Sequence, residues 1–308
     1  MQNEQETQNL IELAKDLSRK RFGSSINFYH TGDRFPAVSL TGNACALDCR
    51  HCKRKLIERL IPATDPEQLL KTCITLHERG CKGVLLTGGC TRKGKVPVYG
   101  FLDAVKEIKQ KTGMLVIAHT GITDASEAAM IKEAGIDGVS IDVVGSPETT
   151  KEVYGIEITP EDYARTLKAF ELSGIGNITP HVCVGLHNGR LFHEERALEI
   201  ISCIKPTNIV ITGLTGLGGT PMQGVKIRPM DVARVVCQAR IRFPESYVSL
   251  GCARGKGGIR EEIDRLCIRA GVNGIAIPTN AAYDEAEKEG LAVKEYDSCC
   301  ALTAKDLL

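Results

Sequence analysis

The sequence predicts an α/β protein, a single TIM-type (β/α)8 barrel, on three observations. Short runs rich in β-branched residues alternate with amphipathic helical segments along the chain. The strand-like runs are apolar throughout, as in a parallel sheet whose two faces are both covered. Eight such units fall within about 250 residues, which is the usual size of a closed barrel. An open, doubly wound sheet is the alternative fold.

The eight predicted strands follow one another along most of the chain. They comprise residues 37–40, 83–89, 114–121, 138–145, 178–186, 208–214, 247–252 and 274–279. Helical segments such as DPEQLLKTCITLHERG and TDASEAAMIKEAG lie between them, and each starts with a capping residue and ends at glycine. We therefore expect an N-terminal helical extension over residues 1–30, the barrel over 31–290 and a cysteine-bearing tail over 291–308.

Composition excludes several classes of protein. The 308 residues carry a formal net charge of +1, so no general attraction to nucleic acid or to anionic lipid is expected. No apolar run reaches the ~18 residues that would predict a membrane span. The N-terminus lacks the basic start and apolar core of a secretion signal, and a cytoplasmic location is expected.

The chain contains 13 cysteines, which is many for a protein of a reducing compartment, where disulfides are rare. Metal binding, together with cysteines that act as small buried apolar residues, explains such a number. Four of them lie on apolar faces of predicted helices and are interpreted as packing residues: Cys73, Cys203, Cys237 and Cys267.

Three cysteines lie within eight residues in the stretch TGNACALDCRHCKRK, residues 41–55. Cys45, Cys49 and Cys52 directly follow the first predicted strand, at the end of a barrel where active sites are built. A structural zinc site needs four ligands. Three thiolates instead suit a 4Fe–4S cluster in which one iron keeps an open position. The loop therefore predicts such a cluster, and a zinc-binding or non-catalytic iron–sulfur protein is the alternative.

The C-x3-C-x2-C motif after the first strand of a barrel resembles the signature of the radical S-adenosylmethionine (radical SAM) superfamily. The resemblance implies that the open iron binds SAM, and that reductive cleavage of SAM gives a 5′-deoxyadenosyl radical that removes a hydrogen atom from the substrate. It also implies an electron donor such as ferredoxin or flavodoxin. His51 occupies the position before the third cysteine, where the family usually has an aromatic residue.

The resemblance also implies a SAM pocket at the ends of the strands. The LTGG segment at 86–89 matches a motif that binds the SAM amino group, or else it forms a tight turn. Asp142 ends the fourth strand, where the family places a residue that holds the ribose, or else it caps a helix. The segment VCVGL at 182–186 resembles one that lies along the adenine. The candidate SAM-binding residues are His51, Thr87, Gly88, Gly89, His119, Asp142, Val184 and Gly185.

Two histidines are candidates for catalysis. His119 and His181 lie on the third and fifth predicted strands. An imidazole in the mouth of a barrel could bind a carboxylate of SAM or of the substrate, or accept a proton. The alternative interpretation is a pair of hydrogen-bonded core histidines.

Within the superfamily the sequence most resembles biotin synthase, over about residues 37–290. The segments FPESYVSLGCARGKGG and CIRAGVNGIAI carry this likeness, which extends to archaeal and anaerobic homologues, some of whose relatives act in pairs as a lipoyl synthase. It implies sulfur insertion into a carrier-bound octanoyl chain, with a second radical SAM subunit. The positions of biotin synthase's sulfur-cluster cysteines hold other residues here, near Leu86, Ile117 and Thr179, so biotin synthesis itself is not expected. Radical rearrangement, C–C cleavage or methylation is the alternative.

Sulfur insertion of this type needs a second iron–sulfur cluster. Cys252 ends the seventh predicted strand, and Cys299 and Cys300 are adjacent in the tail. Adjacent exposed cysteines are unusual unless they bind a metal or react. We expect these three to hold an auxiliary cluster if the tail folds back over the barrel, with Ser249 or Arg254 as a fourth ligand. Otherwise the tail is loose and Cys252 is a packing residue.

Overall fold

The computed structural model describes residues 2–303, and for residues 2–4 only the backbone. Within this range every strand belongs to one parallel sheet. The strands are β1 Ser25–Tyr29, β2 Ala37–Ser39, β3 Ile61–Pro62, β4 Gly83–Thr87, β5 Leu115–His119, β6 Gly138–Asp142, β7 Ile178–Val184, β8 Asn208–Gly213, β9 Tyr247–Arg254, β10 Gly274–Ala276 and β11 Ala292–Tyr296.

Helices connect the strands and cover the sheet. They are α1 Gln2–Phe22, α2 Pro66–Glu78, α3 Leu102–Thr112, α4 Ala125–Glu133, α5 Pro147–Thr149, α6 Pro160–Ser173, α7 Glu194–Ile201, α8 Pro229–Arg242, α9 Gly258–Arg269 and α10 Asn280–Lys288. A 3₁₀ turn, Val98–Phe101, precedes α3, and a π-helical turn, Thr150–Tyr154, follows α5.

The eight predicted strands are all present, as β2 and β4–β10, and the prediction of an α/β barrel-type fold is confirmed. The strand order is β11-β1-β10-β9-β8-β7-β6-β5-β4-β2-β3. Consecutive strands from β4 to β10 are therefore neighbours, as in a barrel. The order is linear, and β3 and β11 lie at its two ends. The sheet is thus a curled, barrel-like sheet rather than one sealed by a continuous ring of strand pairs.

The sequence did not predict three of these strands. β1 lies within the expected N-terminal extension, yet it pairs with both β10 and β11. β11 lies within the expected tail, and β3 is a two-residue strand beside β2. Only α1 is helical in the extension, and it packs against α8. The division into extension, barrel and tail stays a prediction, and residues 304–308 of the tail lie outside the described residues.

Helix ends follow local capping chemistry. Asp65 accepts a hydrogen bond from the backbone N–H of Gln68 at the start of α2, and Pro66 occupies the first turn. Asp124 and Glu127 form a reciprocal capping box at the start of α4. The helix α6 ends at Gly174, whose φ of +73° is left-handed and suits glycine. These caps fix where each helix begins and ends, and hence where the strand-to-helix loops at the mouth lie.

The core lies between the sheet and the helices. Cys73, Cys237 and Cys267 are fully buried in it, and Cys203 packs against its edge, which agrees with their interpretation as packing residues. Among the described residues, no helix combines the length and the apolar character needed to cross a bilayer.

Candidate functional site

A cavity of about 410 Å³ opens at the carboxyl ends of the strands. Its walls are mainly apolar, and its polar lining comes from the cysteine loop and from the ends of β4, β5, β6 and β9. The predicted site residues that line it are Cys45, Cys49, His51, Cys52, Thr87, Gly88, Gly89, His119, Asp142 and Cys252. The fold thus brings together residues that are up to 207 positions apart, from Cys45 to Cys252.

A series of tight turns forms the cysteine loop. The backbone N–H groups of Cys52 and Lys53 both donate to the carbonyl of Cys49, and that of Lys55 donates to the carbonyl of Cys52. Lys53 and Arg54 have positive φ angles of 46° and 68°. Non-glycine residues in this conformation are strained, and such strain concentrates at functional sites. The turns place the second and third cysteines close together.

Two thiols of the cysteine loop, those of Cys49 and Cys52, interact directly. Donor atoms of Cys49, His51 and Cys52 lie within 4.8 Å of one another. A hydrogen bond between the two thiols, donated by Cys49, lowers the pKa of Cys52 to about 7 and raises that of Cys49. One thiolate in this pair therefore forms near neutral pH, which is the form that binds iron.

Cys45 lies against the end of β4. Its Sγ accepts a hydrogen bond of 3.3 Å from the backbone N–H of Cys90, and the N–H of Ala46 donates to the carbonyl of Cys90. A Cβ atom on Gly89 would lie 2.0 Å from the carbonyl oxygen of Ala44. Gly89 is thus required for the close approach of the strand end to the loop. This backbone contact also explains why a side chain is excluded here, whether or not a ligand is bound.

The residues present fit an iron–sulfur cluster with an open iron. Three thiols of one loop line the cavity, and three protein ligands leave one iron of a 4Fe–4S cluster open. The Nδ1 atom of His51 is buried and has no hydrogen-bond partner among the described residues. A buried polar atom of this kind is expected to pair with a ligand.

His119, Asp142 and His181 form a cluster on three adjacent strands. His119 Nε2 lies 3.5 Å from Asp142 Oδ2, and His181 Nδ1 lies 4.0 Å from Asp142 Oδ1. The strand register explains the contact, because Asp142 of β6 pairs with His181 of β7. Burial lowers the pKa of His181 to about 4. His181 is therefore a neutral imidazole at physiological pH, able to donate one hydrogen bond and accept another.

Val184 and Gly185 lie outside the set of residues that line the cavity. Val184 is fully buried in the core. Gly185 has a φ of +75°, and its N–H donates to Glu194 Oε1 at 2.7 Å. Their expected place along the adenine stays a prediction.

The tail folds into the barrel. Cys300 is buried against Tyr29, Val210 and Ala276. A hydrogen bond from the Cys300 thiol lowers the pKa of Cys299, while burial and then the charge of Cys299 raise the pKa of Cys252. The tail is thus packed, and the alternative of a loose tail is wrong for residues up to 303.

The residues suggested as a fourth ligand are committed elsewhere. Arg254 is fully buried and binds Asp264 together with the carbonyl oxygens of Gly251 and Ala276. Ser249 Oγ donates to Asn208 Oδ1 at 3.1 Å. The suggestion of either as a ligand is therefore wrong, because buried polar groups engaged in this way would lose their partners.

A segment that the sequence did not single out covers the cavity. Residues 146–158, the cover segment, include α5 and the π-helical turn, and Tyr154, Ile156 and Ile158 line the cavity. Arg50 of the cysteine loop donates to Glu152 at 2.7 Å, and its N–H donates to the carbonyl of Val153. The signal available in the sequence was the Ser146–Pro147 helix start in a long strand-to-helix connection.

Comparison with known proteins places this site in a family. A profile of the "Radical SAM superfamily" matches residues 39–201, which is more than half of the chain. The chain belongs to the radical SAM superfamily. As a radical SAM enzyme it uses a 4Fe–4S cluster and SAM, and it needs an electron donor and a small-molecule substrate. The prediction from the cysteine loop is confirmed at this level.

Curated relatives of this radical SAM enzyme include biotin synthases. That of Aromatoleum aromaticum is 28% identical over 282 residues, covering 88% of this chain and 82% of the relative. That of Buchnera aphidicola subsp. Acyrthosiphon pisum is 25% identical, covering 87% and 77%. The predicted biotin-synthase-like branch is confirmed.

Solved structures show the same fold. Methylornithine synthase has a TM-score of 0.67 at 14% identity, covering 94% of this chain and 89% of that one. The FeFe-hydrogenase maturase HydG from Carboxydothermus hydrogenoformans has a TM-score of 0.64 at 14% identity, covering 94% and 72%. At such identities the likeness concerns the fold alone.

Proposed function

We propose that this radical SAM enzyme inserts sulfur at unactivated C–H bonds of an acyl chain, as in the conversion of a carrier-bound octanoyl chain to a lipoyl group. The observation that carries the proposal is the Cys252 thiol, which opens into the mainly apolar cavity, while Cys299 and Cys300 of the tail pack inside the same barrel. Similarity to biotin synthases supports the same class of reaction.

Cys252, Cys299 and Cys300 are the residues that would hold a second iron–sulfur cluster. Cys252 is exposed to the cavity, and Cys299 is half-buried with a lowered pKa that favours its thiolate. Cys300 is buried, so it is the member whose side chain must change its packing most. Such clusters are held by thiolates. When bound, the 4Fe–4S cluster of the cysteine loop would supply the electron that cleaves SAM, and the second cluster would supply the sulfide that the product gains.

The chain's own residues bind and orient the substrates. Asp142 presents a half-exposed carboxylate to the cavity, where it can accept two hydroxyl hydrogen bonds. Neutral His181 lies beside Asp142 on the neighbouring strand, with Nδ1 4.0 Å from Oδ1, and its ring N–H can donate to a ligand oxygen. Leucine and isoleucine side chains of the cysteine loop and the cover segment exclude water, which a radical reaction on a strong C–H bond requires.

The tail also supports a departure from biotin synthesis. Two of the positions that resemble those of biotin synthase's sulfur-cluster cysteines, Ile117 and Thr179, contact the tail instead. Ile117 packs against Ala301 and Leu302, and Thr179 Oγ1 donates to the Ala301 carbonyl at 3.0 Å. The tail therefore fills the part of the barrel that these positions face, and its own thiols lie nearby.

The proposed partners follow from the same chemistry. An acyl chain borne on a carrier protein would enter the open mouth, and a second radical SAM subunit would complete the pair. A ferredoxin or flavodoxin would deliver the electron near the basic residues Lys53, Arg54 and Lys55 of the cysteine loop, since opposite charges steer association.

Iron counting tests the proposal. Anaerobic reconstitution should give about eight irons per chain, against about four for a single cluster. Cys252→Ala and Cys299→Ala should each lose about half of the iron and should still cleave SAM slowly when reduced. Cys203→Ala is the matched control, because Cys203 is a half-buried cysteine on the outside of the sheet. This variant should keep all of its iron.

Turnover completes the test. Reduced enzyme, SAM and an octanoyl carrier peptide should give a sulfur-bearing peptide by mass spectrometry. Four irons, with substrate changed but no sulfur gained, would instead support radical rearrangement, C–C cleavage or methylation. Those reactions need only the first cluster and the same cavity.

A further inference from the structure

The tail crosses the interior of the barrel from one wall to the opposite one. Cys300 contacts Tyr29 of β1, Val210 of β8 and Ala276 of β10. Ala301 and Leu302 pack with Phe35 and Ile117, against Leu85 and Leu115 of β4 and β5. These contacts come from strands on both sides of the curled sheet, so the segment 298–303 lies within the barrel rather than on its surface.

Hydrogen bonds fix the tail at this level. Asn208 Nδ2 donates to the Cys300 carbonyl at 2.7 Å, and Thr179 Oγ1 donates to the Ala301 carbonyl at 3.0 Å. Both donors are buried side chains near the amino ends of their strands. Each therefore holds a backbone group that would otherwise be buried without a partner.

The sheet leaves room for this crossing. The interior of a (β/α)8 barrel is usually filled by bulky branched side chains. Here, four buried residues of neighbouring strands are small or polar: Ser140, Thr179, Asn208 and Ser249. Ala301 and Leu302, which are 2% and 0% exposed, supply apolar volume in their place.

The tail lies directly behind the cavity. Leu85 lines the cavity and also packs against the cluster formed by Phe35, Ile117, Ala301 and Leu302. Cys299 of the tail packs against the same cluster. Leu85 therefore separates the inner end of the cavity from Ala301 and Leu302, which back this wall without lining the cavity themselves.

We propose that residues 298–303 form the floor of the substrate chamber, and that Leu302 and Ala301 set the length of the apolar chain that fits it. The claim that a chain enters the chamber rests on the proposed function. The part played by the tail is separate: an apolar chain inserted from the mouth ends against Leu85 and the tail beneath it, so a longer chain is rejected.

Calorimetry on reconstituted protein with SAM and without reductant tests this proposal, because no turnover occurs. The probes are n-alkanoic acids from butanoate to dodecanoate. Affinity should rise with each carbon, as apolar area is buried, up to a limiting length. Leu302→Ala should move that limit to chains longer by about two carbons, and Ala301→Val should move it to shorter chains.

Leu167→Ala is the matched control. Leu167 is as fully buried as Leu302 but lies on α6, outside the barrel interior. The Leu167→Ala variant should be less stable than the wild type, and the limiting chain length of the alkanoic acids should not change. The opposite shifts of the two tail variants separate a floor from general loosening, and far-ultraviolet circular dichroism confirms that each variant is folded.

Two results would overturn the floor: an unchanged limit in both tail variants, or affinity that shows no dependence on chain length in the wild type. Failure of the floor and failure of sulfur insertion are distinguishable. If the limiting chain length shifts in the tail variants but no sulfur-bearing product forms, the role of the tail as a floor is supported and sulfur insertion is rejected. If a sulfur-bearing product forms but the limiting chain length is unchanged, sulfur insertion is supported and the floor is rejected.

Discussion

Cys49 is the most buried thiol of the cysteine loop, at 8% exposure, whereas Cys45 and Cys52 are half-buried. Its carbonyl also receives two of the backbone hydrogen bonds that shape the loop. Cys49→Ala leaves two thiolates, which do not hold a site-differentiated cluster. We expect iron to fall by about four atoms per chain and SAM cleavage to be lost.

Cys73→Ala is the control for this prediction, since Cys73 is fully buried on α2 in the core. It should retain the iron and lose only stability. Iron analysis and the visible absorbance of the reconstituted proteins measure the cluster content of the two variants. A Cys49→Ala protein with unchanged iron would show that the loop is not the cluster site.

His181 should make the protein sensitive to acid. Burial is the main cause of its lowered pKa of about 4, with Asp142 opposing the shift and His119 adding to it. In the unfolded chain its pKa is about 6.5. Between these values the unfolded state binds a proton that the folded state does not, so stability falls as the pH falls from 6.5 to 4, by about 3 kcal/mol.

Urea unfolding of His181→Gln at pH 7 and pH 4.5 measures this effect. The variant should lose less stability between the two values than the wild type. His77→Gln, at an exposed position of α2, is the control and should follow the wild type. Identical pH profiles for His181→Gln and the wild type would contradict the assignment.

At the scale of elements, the cover segment is joined to the cysteine loop by Glu152. This carboxylate accepts hydrogen bonds of 2.7 Å from both Arg50 and Asn188. Hydrogen bonds to a charged group contribute about 1.5–3 kcal/mol each when shielded and less when half-exposed, as here. Glu152→Ala should therefore weaken SAM binding by about fivefold to tenfold, because Tyr154 lies in the same turn and lines the cavity.

Equilibrium binding of SAM to the reconstituted protein measures the change, and limited proteolysis reports on the cover segment. Glu157→Ala is the matched control, since Glu157 lies in the same segment, is 84% exposed and lies 3.7 Å from Lys151. Equal affinities in the two variants would mean that the Glu152 contacts do not hold the cover.

The elements that the sequence predicted share one property: they are apolar runs bounded by capping residues or glycine. β4, with residues GVLLT, and β6, with GVSID, are examples. β1 has the sequence SINFY and was hidden by the polar Asn27, which is buried in the structure. Most of β11 is exposed at the sheet edge, so burial left no pattern in AVKEY. Its strand conformation comes from pairing with β1, a long-range contact.

In the candidate site too, residues identified by local sequence patterns were predicted, whereas those placed by long-range contacts were not. Cys45, Cys49 and Cys52 were predicted because all three lie on one loop, and the strand ends placed Thr87, His119 and Asp142 beside them. The tail contacts could not be predicted, because they depend on how the chain returns to the interior after β11. Arg254 was misassigned for a related reason: its burial beside Asp264 depends on the packing of α9 against β9.

At the scale of the whole molecule, the linear strand order leaves β3 and β11 as edges, and the interior is completed by the tail rather than by strand pairing alone. The half of the sheet that carries Cys252 must be held rigidly, since β9, β10 and β1 support both the mouth and the tail. The buried Arg254–Asp264 pair joins these parts. Arg254 binds carbonyl oxygens of Gly251, Ala276 and Ile277, which lie on or after β9 and β10.

Asp264→Ala should therefore destabilise the whole fold. Removing one partner leaves the fully buried guanidinium of Arg254 without its counter-ion, which costs about 3–5 kcal/mol. It also removes the acceptor for the Thr279 N–H and hydroxyl. Chemical unfolding should show a large loss for Asp264→Ala and under about 0.5 kcal/mol for Arg228→Gln, whose 74% exposed side chain pairs with Asp231 at 2.7 Å. Similar losses in the two variants would mean that the buried pair is not what joins the strands, and partial recovery in an Arg254→Met, Asp264→Leu double variant would identify the unpaired charge as the cause.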